Sequence, residues 1–188
     1  MARGDALRWN ARYQCAPDEL YSAPRSILTR HRPLLAVPGL AVDMAMGMGA
    51  NAEYLVRAGW RVIGVDIADA AVFQARARCP QIQAVVADLE HFWLPPDHFD
   101  LILNLYYLDR ALWSLYRTTL KPGGLLIVET LLRDMLEPQP DLKQNFLLAP
   151  GELRAAFQNW QILEYQEGWV TSDHGHEKAV ASLIARRP

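Results

Sequence analysis

Two carboxylates flank a glycine turn in the first half of the chain. Asp43 follows a short apolar run, Gly47 and Gly49 stand in the turn after it, and Asp66 ends the next apolar run. Glycine allows a tight strand-to-helix turn against which a ligand can lie, because a Cβ would obstruct both. A carboxylate at a strand end can accept hydrogen bonds from both hydroxyls of a ribose. The spacing therefore predicts a nucleotide-binding unit of strand, turn, helix and strand.

The glycine turn by itself does not select the ligand. The segment from Gly47 to Ala52 also fits the G-x-G-x-x-G/A fingerprint of NAD-binding proteins, with Asp66 about 20 residues further on. Asp43 would repel a pyrophosphate bound on the same loop, whereas it suits a cationic ligand. S-adenosylmethionine carries a ribose, an ammonium and a sulfonium. We therefore favour S-adenosylmethionine and keep an NAD-linked oxidoreductase as the less favoured alternative.

Composition restricts the class of protein. The chain has 188 residues, 51% of them hydrophobic, and a formal net charge of -2. These values predict one globular domain spanning 1–188 and give no support for a nucleic-acid partner. No signal core or membrane-length apolar run is visible, so we expect a cytoplasmic protein with no membrane partner. Cys15 and Cys79 are too few for a disulfide framework and are expected to be free thiols.

Strand and helix signals alternate along the chain and then give way to a hairpin. The predicted strands cover segments 40–42, 60–65, 82–87, 99–103, 125–131, 160–169 and 176–187. The predicted helices cover segments 51–58, 68–79, 109–120 and 151–157. Segment 131–148 reads as a long loop, and the last two strands must pair antiparallel because the turn between them is short. The expected fold is an α/β, single doubly wound, Rossmann-like domain with a seven-stranded, mostly parallel sheet that closes with an antiparallel hairpin. Dehydrogenases reach their final strands by helical crossovers, which counts against NAD again.

Five motifs carry a family resemblance. They are Val42 to Gly49 (D-x-x-x-G-x-G), Gly64-Val65-Asp66, Ala87-Asp88-Leu89, Phe99 to Ile102 with Asn104, and Leu120 to Gly124. With these motifs the chain resembles small class I S-adenosylmethionine-dependent methyltransferases, nearest the tellurite-resistance and thiopurine methyltransferase subgroup. One departure is Ala45, where many members have a further glycine. Alanine is small enough there to leave cofactor binding intact.

The resemblance implies a methyltransferase (EC 2.1.1.-) that uses S-adenosyl-L-methionine, yields S-adenosyl-L-homocysteine and acts on a small-molecule acceptor. Asp66 would bind the ribose, Ile67 the adenine ring, Asp88 the adenine amino group and Asn104 the methionine ammonium. Asp88 also has an alternative interpretation as a helix cap. The implied cofactor-binding residues are Asp43, Ala45, Gly47, Gly49, Asn51, Asp66, Ile67, Asp88, Leu89 and Asn104. Methyl transfer needs mainly proximity and alignment, so no catalytic base is assigned and a non-catalytic cofactor-binding protein stays an alternative.

Aromatic residues are the main candidates for acceptor recognition. Asn104-Leu105-Tyr106-Tyr107 stands where DNA and glutamine methyltransferases carry [DN]-P-P-[YF], and the missing prolines disfavour those substrates. Trp9 and Tyr13 are four residues apart and would share one helical face. Segment 1–35 is expected to be a helical cover over core 36–188, and it could act as a lid or as a structural cap. The candidate substrate residues are Trp9, Tyr13, Tyr21, Tyr106, Tyr107 and Arg110.

One histidine pair raises the question of a metal. His174 and His176 lie beside Asp173 in the turn of the predicted hairpin, far in sequence from the glycine turn. Such residues are more often solvated than ligating. No metal is assigned.

Overall fold

The computed structural model describes residues 2–15, 21–173 and 175–188, so His174 lies outside the described residues. The chain groups into two compact units, Met1–Trp93 and Leu94–Pro188. Each unit is described by itself below. The expectation of a single domain spanning 1–188 stays a prediction.

The first unit combines three parallel strands with four helices. Its strands are β1 (Leu40–Met44), β2 (Arg61–Asp66) and β3 (Gln83–Val86). Its helices are α1 (Ala2–Cys15), α2 (Ser26–Arg30), α3 (Ala50–Arg57) and α4 (Asp69–Arg78), with 3-10 turns at Arg32–Leu35 and Leu89–His91. β2 pairs in parallel with both β1 and β3. Every residue of β1 is buried, which explains why its apolar residues run without alternation.

The second unit carries a parallel strand pair followed by an antiparallel hairpin. Its strands are β4 (Phe99–Leu105), β5 (Leu120–Leu131), β6 (Gln161–Thr171) and β7 (Glu177–Arg186). Its helices are α5 (Leu112–Thr119) and α6 (Glu152–Ala156), with 3-10 turns at Arg133–Leu136 and Gln144–Phe146. β4 and β5 are parallel, whereas β7 runs antiparallel to both β5 and β6.

The strands form a seven-stranded sheet in the order β3-β2-β1-β4-β5-β7-β6. This mostly parallel sheet with a closing antiparallel hairpin confirms the predicted Rossmann-like α/β fold.

Two element boundaries differ from the sequence prediction by three or more residues. β5 begins at Leu120 instead of Leu125, because Leu120 already pairs with Phe99 before a shift in register. α5 begins at Leu112 instead of Asp109, because the Asp109 carboxylate accepts a hydrogen bond from the Ala111 backbone N–H (2.9 Å). A side chain that bonds the backbone two residues ahead forms a turn that competes with helix.

Segment 131–148 is a closed loop with internal structure. It contains the two 3-10 turns of the second unit, and Leu132 and Leu148 form an isolated parallel bridge where the loop begins and ends. Met135, a residue of the loop, has its side chain buried. The loop is therefore held at its two ends and packed from within.

Candidate active site

The glycine turn has a left-handed backbone at three positions. Ala45, Gly47 and Gly49 have φ angles of 56°, 58° and 79°. Such angles favour glycine, which explains why a further glycine is common at the position of Ala45. A Cβ at Gly49 would lie 2.8 Å from the Ala75 Cβ, so only glycine lets the start of α3 pack this closely on α4. Backbone conformation and close packing against α4 therefore both favour glycine in this turn.

Asp66 ties the glycine turn to the loop before α4. One carboxylate oxygen accepts the Gly47 N–H at 2.7 Å, and the other accepts the Ala68 N–H at 2.9 Å. Burial raises the pKa of Asp66, and the hydrogen bonds from Ala68, Gly47 and Ile67 oppose that rise. A carboxylate offers about four acceptor positions. Asp66 therefore keeps acceptor capacity for a ribose while it organises the turn.

Asp43 is a second buried carboxylate in the same unit. Its side chain is 1% exposed, and Oδ2 has no hydrogen-bond partner within the described ranges. Burial raises the pKa of Asp43 to about 8, the charge of Asp66 adds to the rise, and a hydrogen bond from the Ala52 N–H opposes it. Asp43 is thus enclosed beside the base of α3. Its direct contact with a cofactor stays a prediction.

Helix α1 brings two aromatic side chains to the glycine turn. Trp9 and Tyr13 stack with ring centroids 5.7 Å apart, which confirms that they share one helical face. A Cβ at Gly47 would lie 2.9 Å from the Tyr13 hydroxyl oxygen, so Tyr13 lies directly on the turn. Tyr21 packs edge-on against Tyr13 at 5.3 Å. Burial, and then the charge of Asp66, raise the pKa of Tyr13.

Sequence reasoning missed Asn10 as a residue that positions this helix. The Asn10 side-chain oxygen accepts the Ala70 N–H at 3.0 Å at the start of α4. Asn51, a predicted cofactor residue, accepts the Arg25 N–H at 2.9 Å in the same manner. Both amides therefore fasten the N-terminal segment to the unit that contains the glycine turn. The feature of the sequence that could have indicated Asn10 is its position between Trp9 and Tyr13 on the predicted helix.

The end of β3 leads into a short capped turn. One Asp88 oxygen accepts the Glu90 N–H at 3.0 Å and caps the 3-10 turn, whereas Oδ2 is buried without a partner among the described residues. The capping interpretation is therefore correct, and the adenine-binding role of Asp88 stays a prediction. Ile67 is half-buried and Leu89 is buried. Ligand atoms of Asp88, Glu90 and His91 lie within 4.8 Å of one another, but such surface clusters are common without an ion.

In the second unit, Asn104 ends β4 in a buried hydrogen bond. Its amide nitrogen donates to the Tyr116 hydroxyl at 2.5 Å, and its Oδ1 atom has no partner within the described residues. Tyr116 lies on α5 and is fully buried, which raises the pKa of its phenol. Sequence reasoning missed Tyr116, because nothing in its local pattern distinguishes it from a core aromatic.

Tyr106 and Tyr107 follow Asn104 directly, and both are half-buried. Tyr106 has a φ of 63°, a strained angle for a bulky residue, and its N–H donates to the Glu129 carbonyl at 2.6 Å. The Lys178 ammonium lies 4.9 Å from the centroid of the Tyr106 ring. Strained residues of this kind cluster at functional sites. Contact of either tyrosine with the acceptor stays a prediction.

Arg110 anchors the 131–148 loop. Its guanidinium forms two hydrogen bonds with the Glu152 carboxylate and donates to the carbonyls of Asn145 (2.8 Å) and Leu147 (3.0 Å). The hydrogen bond from Arg110 lowers the pKa of Glu152. The sequence suggested Arg110 as a substrate residue, and that contact stays a prediction. The observed bonds make it a residue that positions the loop.

A glycine turn between β1 and α3, together with this sheet order, defines the class of Rossmann-like methyltransferase folds. Residues 41–124 match a protein-family model described as a methyltransferase domain. This segment includes the glycine turn, Asp66, Asp88 and Asn104. Residues 41–124 are therefore similar to the methyltransferase domain family, in agreement with the resemblance seen in the sequence.

Two relatives of this chain are also named as methyltransferases. Over 110 residues the chain is 28% identical to a probable S-adenosylmethionine-dependent methyltransferase of Mycolicibacterium smegmatis, covering 55% of this chain and 42% of the relative. Over 134 residues it is 30% identical to trans-aconitate 2-methyltransferase of Rhodopseudomonas palustris, covering 64% and 49%. The chain thus spans less than half the length of these two relatives.

A solved structure shows the same fold at low identity. TehB from Haemophilus influenzae matches with a TM-score of 0.69 and 19% identity, over 84% of this chain and 60% of that chain. In the described part of our chain, no helix is long and apolar enough to cross a membrane.

Proposed function

We propose that this chain is an S-adenosylmethionine-dependent methyltransferase that acts on a small-molecule acceptor. The observation that carries the proposal is Asp66, a buried carboxylate at the end of β2 that is hydrogen-bonded to Gly47 of the glycine turn. It lies in the segment that matches the methyltransferase domain family. Hydrogen-bond acceptors placed at a glycine turn suit a ribose.

The acceptor atoms left over in the structure fit this cofactor. S-adenosylmethionine supplies an electrophilic methyl group on its sulfonium when it is bound. Asp66 would accept from the ribose hydroxyls, and the unpartnered Oδ2 of Asp88 would accept from the adenine amino group. Ile67 and Leu89 would supply apolar contact to the adenine ring. The unpartnered, buried Oδ1 of Asn104 suits an ammonium group.

The chain's own contribution to the reaction would be alignment and exclusion of water. Trp9 and Tyr13 lie over the glycine turn and would keep water from a bound sulfonium. Proximity and alignment can supply roughly 7 to 11 kcal/mol of the barrier to such a displacement. We therefore assign no dedicated base.

Two observations support a small-molecule acceptor. Trans-aconitate 2-methyltransferase, a relative at 30% identity, is named for a small molecule. The formal net charge of -2 gives no support for a nucleic-acid groove.

Titration calorimetry with S-adenosylhomocysteine tests the cofactor assignment. Asp66→Asn keeps the size of the side chain but removes its charge, so we expect about ten- to hundredfold weaker binding, since a charge-assisted hydrogen bond contributes about 1.5 to 3 kcal/mol. Asp69→Asn removes an exposed carboxylate at the start of α4 and should bind as the wild type does. Full affinity of the Asp66→Asn protein would place the ribose elsewhere. Binding without methyl transfer to any member of a metabolite panel would favour the non-catalytic alternative.

A further inference from the structure

The second unit contains an open cleft beside the 131–148 loop. The cleft has a volume of about 540 Å³ and is lined by Arg110, Arg133, Gln144, Asn145, Ala149 and Glu152. This volume is in the range of small-molecule sites. The cleft lies beyond the carboxyl ends of two parallel strands, because Arg110 follows β4 and Arg133 follows β5. Open α/β sheets bind their ligands at that edge.

The lining of the cleft has a surplus of positive charge. Two arginines and one glutamate line it, which gives a net charge of +1. Arg110 is committed to Glu152 and to two loop carbonyls, and its hydrogen bond lowers the pKa of Glu152, so this pair stays ionised and mutually neutralised. The Arg133 guanidinium has no hydrogen-bond partner in the part of the chain that the structure describes. The charge of Arg133 also lowers the pKa of Glu152, so both arginines share the surplus positive charge, and Arg133 is the one whose donors stay available for a ligand.

The backbone beneath Arg133 is fixed. The Arg133 N–H donates to the Leu148 carbonyl at 2.9 Å, next to the bridge that closes the loop between Leu132 and Leu148. Met135 is buried two residues further on. A cation on a fixed backbone loses less entropy when it binds a ligand. The neighbouring amides of Gln144 and Asn145 add neutral hydrogen-bond donors to the same lining.

We propose that this cleft binds a carboxylate group of the methyl acceptor, with Arg133 as the recognising residue. The inference deepens the proposed function and rests on it. A planar guanidinium matches the two oxygens of a planar carboxylate. A surplus of one positive charge neutralises one carboxylate group, whereas a phosphate monoester carries about -1.5 to -2 on a single group. Further carboxylates of the same acid would stay in the solvent of this open cleft. The acceptor is thus a small organic acid.

Titration calorimetry with propane-1,2,3-tricarboxylate tests the cleft, with its trimethyl ester and inorganic phosphate as comparison probes. We expect saturable binding of the tricarboxylate by the wild type, and about ten- to hundredfold weaker binding by Arg133→Gln. Arg133→Lys keeps the charge without the fork and should give an intermediate affinity. Lys143→Gln is the matched control, because Lys143 is an exposed cation of the same loop that does not line the cleft. It should change the affinity less than about twofold, because a cation outside the cleft acts on the ligand only through charge that the solvent screens.

Three results would overturn the inference: no saturable tricarboxylate binding, equal binding of the ester, or equal loss in Arg133→Gln and Lys143→Gln. Tighter binding of phosphate through Arg133 would also overturn the carboxylate assignment. Binding of S-adenosylhomocysteine, measured on the same samples, separates the two proposals. If it fails while tricarboxylate binds through Arg133, the proposed methyltransferase function falls and an anion site stands. If it binds while the tricarboxylate does not, only the cleft assignment falls.

Discussion

At the scale of single residues, the unusual feature is the burial of two carboxylates in one unit. Asp66 satisfies its oxygens with backbone N–H groups of the glycine turn and of the loop before α4. Asp43 keeps one oxygen unpartnered within the described residues and has a pKa raised to about 8. Burial therefore favours the protonated form of Asp43, and its charged form weakens the fold.

Asp43→Asn should remove a pH dependence of stability. The pKa of Asp43 is about 8 in the folded protein and about 3.9 in the unfolded chain. Binding of the proton therefore stabilises the fold fully below the unfolded pKa, and this stabilisation is lost as the pH rises through the folded pKa. The free energy of unfolding of the wild type should therefore fall relative to that of Asp43→Asn between about pH 4 and pH 8 and then level off. At the upper end we expect the variant to be more stable by about 1 to 3 kcal/mol, the cost of an unmet buried polar group. Urea unfolding across this pH range measures the difference.

Asp69→Asn is the control for this series, because Asp69 is exposed. Its unfolding free energy should follow that of the wild type at every pH. Parallel profiles for the wild type and Asp43→Asn would show that the Asp43 carboxylate is solvated.

At the scale of elements, helix α1 and the 131–148 loop are the two segments beside the candidate sites. α1 places Tyr13 on Gly47, and Asn10 holds the helix to the start of α4. Arg110 and Glu152 hold the end of the loop. Side-chain bonds hold α1 to its unit, whereas the loop is held by the bonds of Arg110 and also by backbone hydrogen bonds at its two ends.

Trp9→Ala should weaken binding of S-adenosylhomocysteine if α1 covers the cofactor. Trp9 is half-buried in the aromatic cluster with Tyr13, so its loss opens the cover without emptying the core. Leu7→Ala is the matched control, since Leu7 lies on the same helix and is 66% exposed. Residues 5–14 of the wild type should also gain protection from hydrogen exchange when the ligand binds. Unchanged affinity and unchanged protection would make α1 a structural cap.

Arg110→Gln should loosen the loop. Its guanidinium bonds the carbonyls of Asn145 and Leu147, so we expect faster hydrogen exchange at the Leu148 and Arg133 amides, which close the loop. Protection of these amides in the wild type should also weaken in acid. The pKa of Glu152 is lowered in the folded protein, so the stabilisation that ionised Glu152 provides is present above its unfolded pKa. That stabilisation is lost as the pH falls through the folded pKa.

Lys121→Gln breaks a comparable, partly exposed ion pair with Asp100 and should leave loop exchange unchanged. Equal exchange in the Arg110→Gln and wild-type proteins would show that the Leu132–Leu148 bridge alone holds the loop.

At the scale of the whole molecule, a ligand that binds the native state should stabilise the protein against unfolding. S-adenosylhomocysteine at a hundredfold excess over its Kd should add about 2.7 kcal/mol. NAD should add nothing, because the closing antiparallel hairpin and the match of residues 41–124 to a methyltransferase domain both disfavour a dinucleotide site. Scanning calorimetry with each ligand measures the shift in Tm. A shift from NAD alone, or equal shifts from both, would contradict the proposed cofactor.

Local sequence patterns were enough to predict the order of the strands along the chain, the glycine turn, the carboxylate at the end of β2 and the closing hairpin. These features depend on neighbouring residues: alternation or continuity of apolar side chains, glycine at tight turns, and a short connection that forces antiparallel pairing. The methyltransferase motifs could be recognised from the sequence for the same reason, since each motif lies within a few residues of a strand end.

Only the tertiary structure decided which side chains meet. Asp66 bonds the Gly47 amide, Tyr116 bonds Asn104, and Arg110 bonds Glu152, across separations of 19, 12 and 42 residues. No local pattern signals such pairs, because they depend on how helices and loops pack after the strands have formed. The same packing makes Arg110 an anchor of the loop, and its contact with the acceptor stays a prediction. It also places Arg133, which no sequence motif marked, in the lining of the cleft.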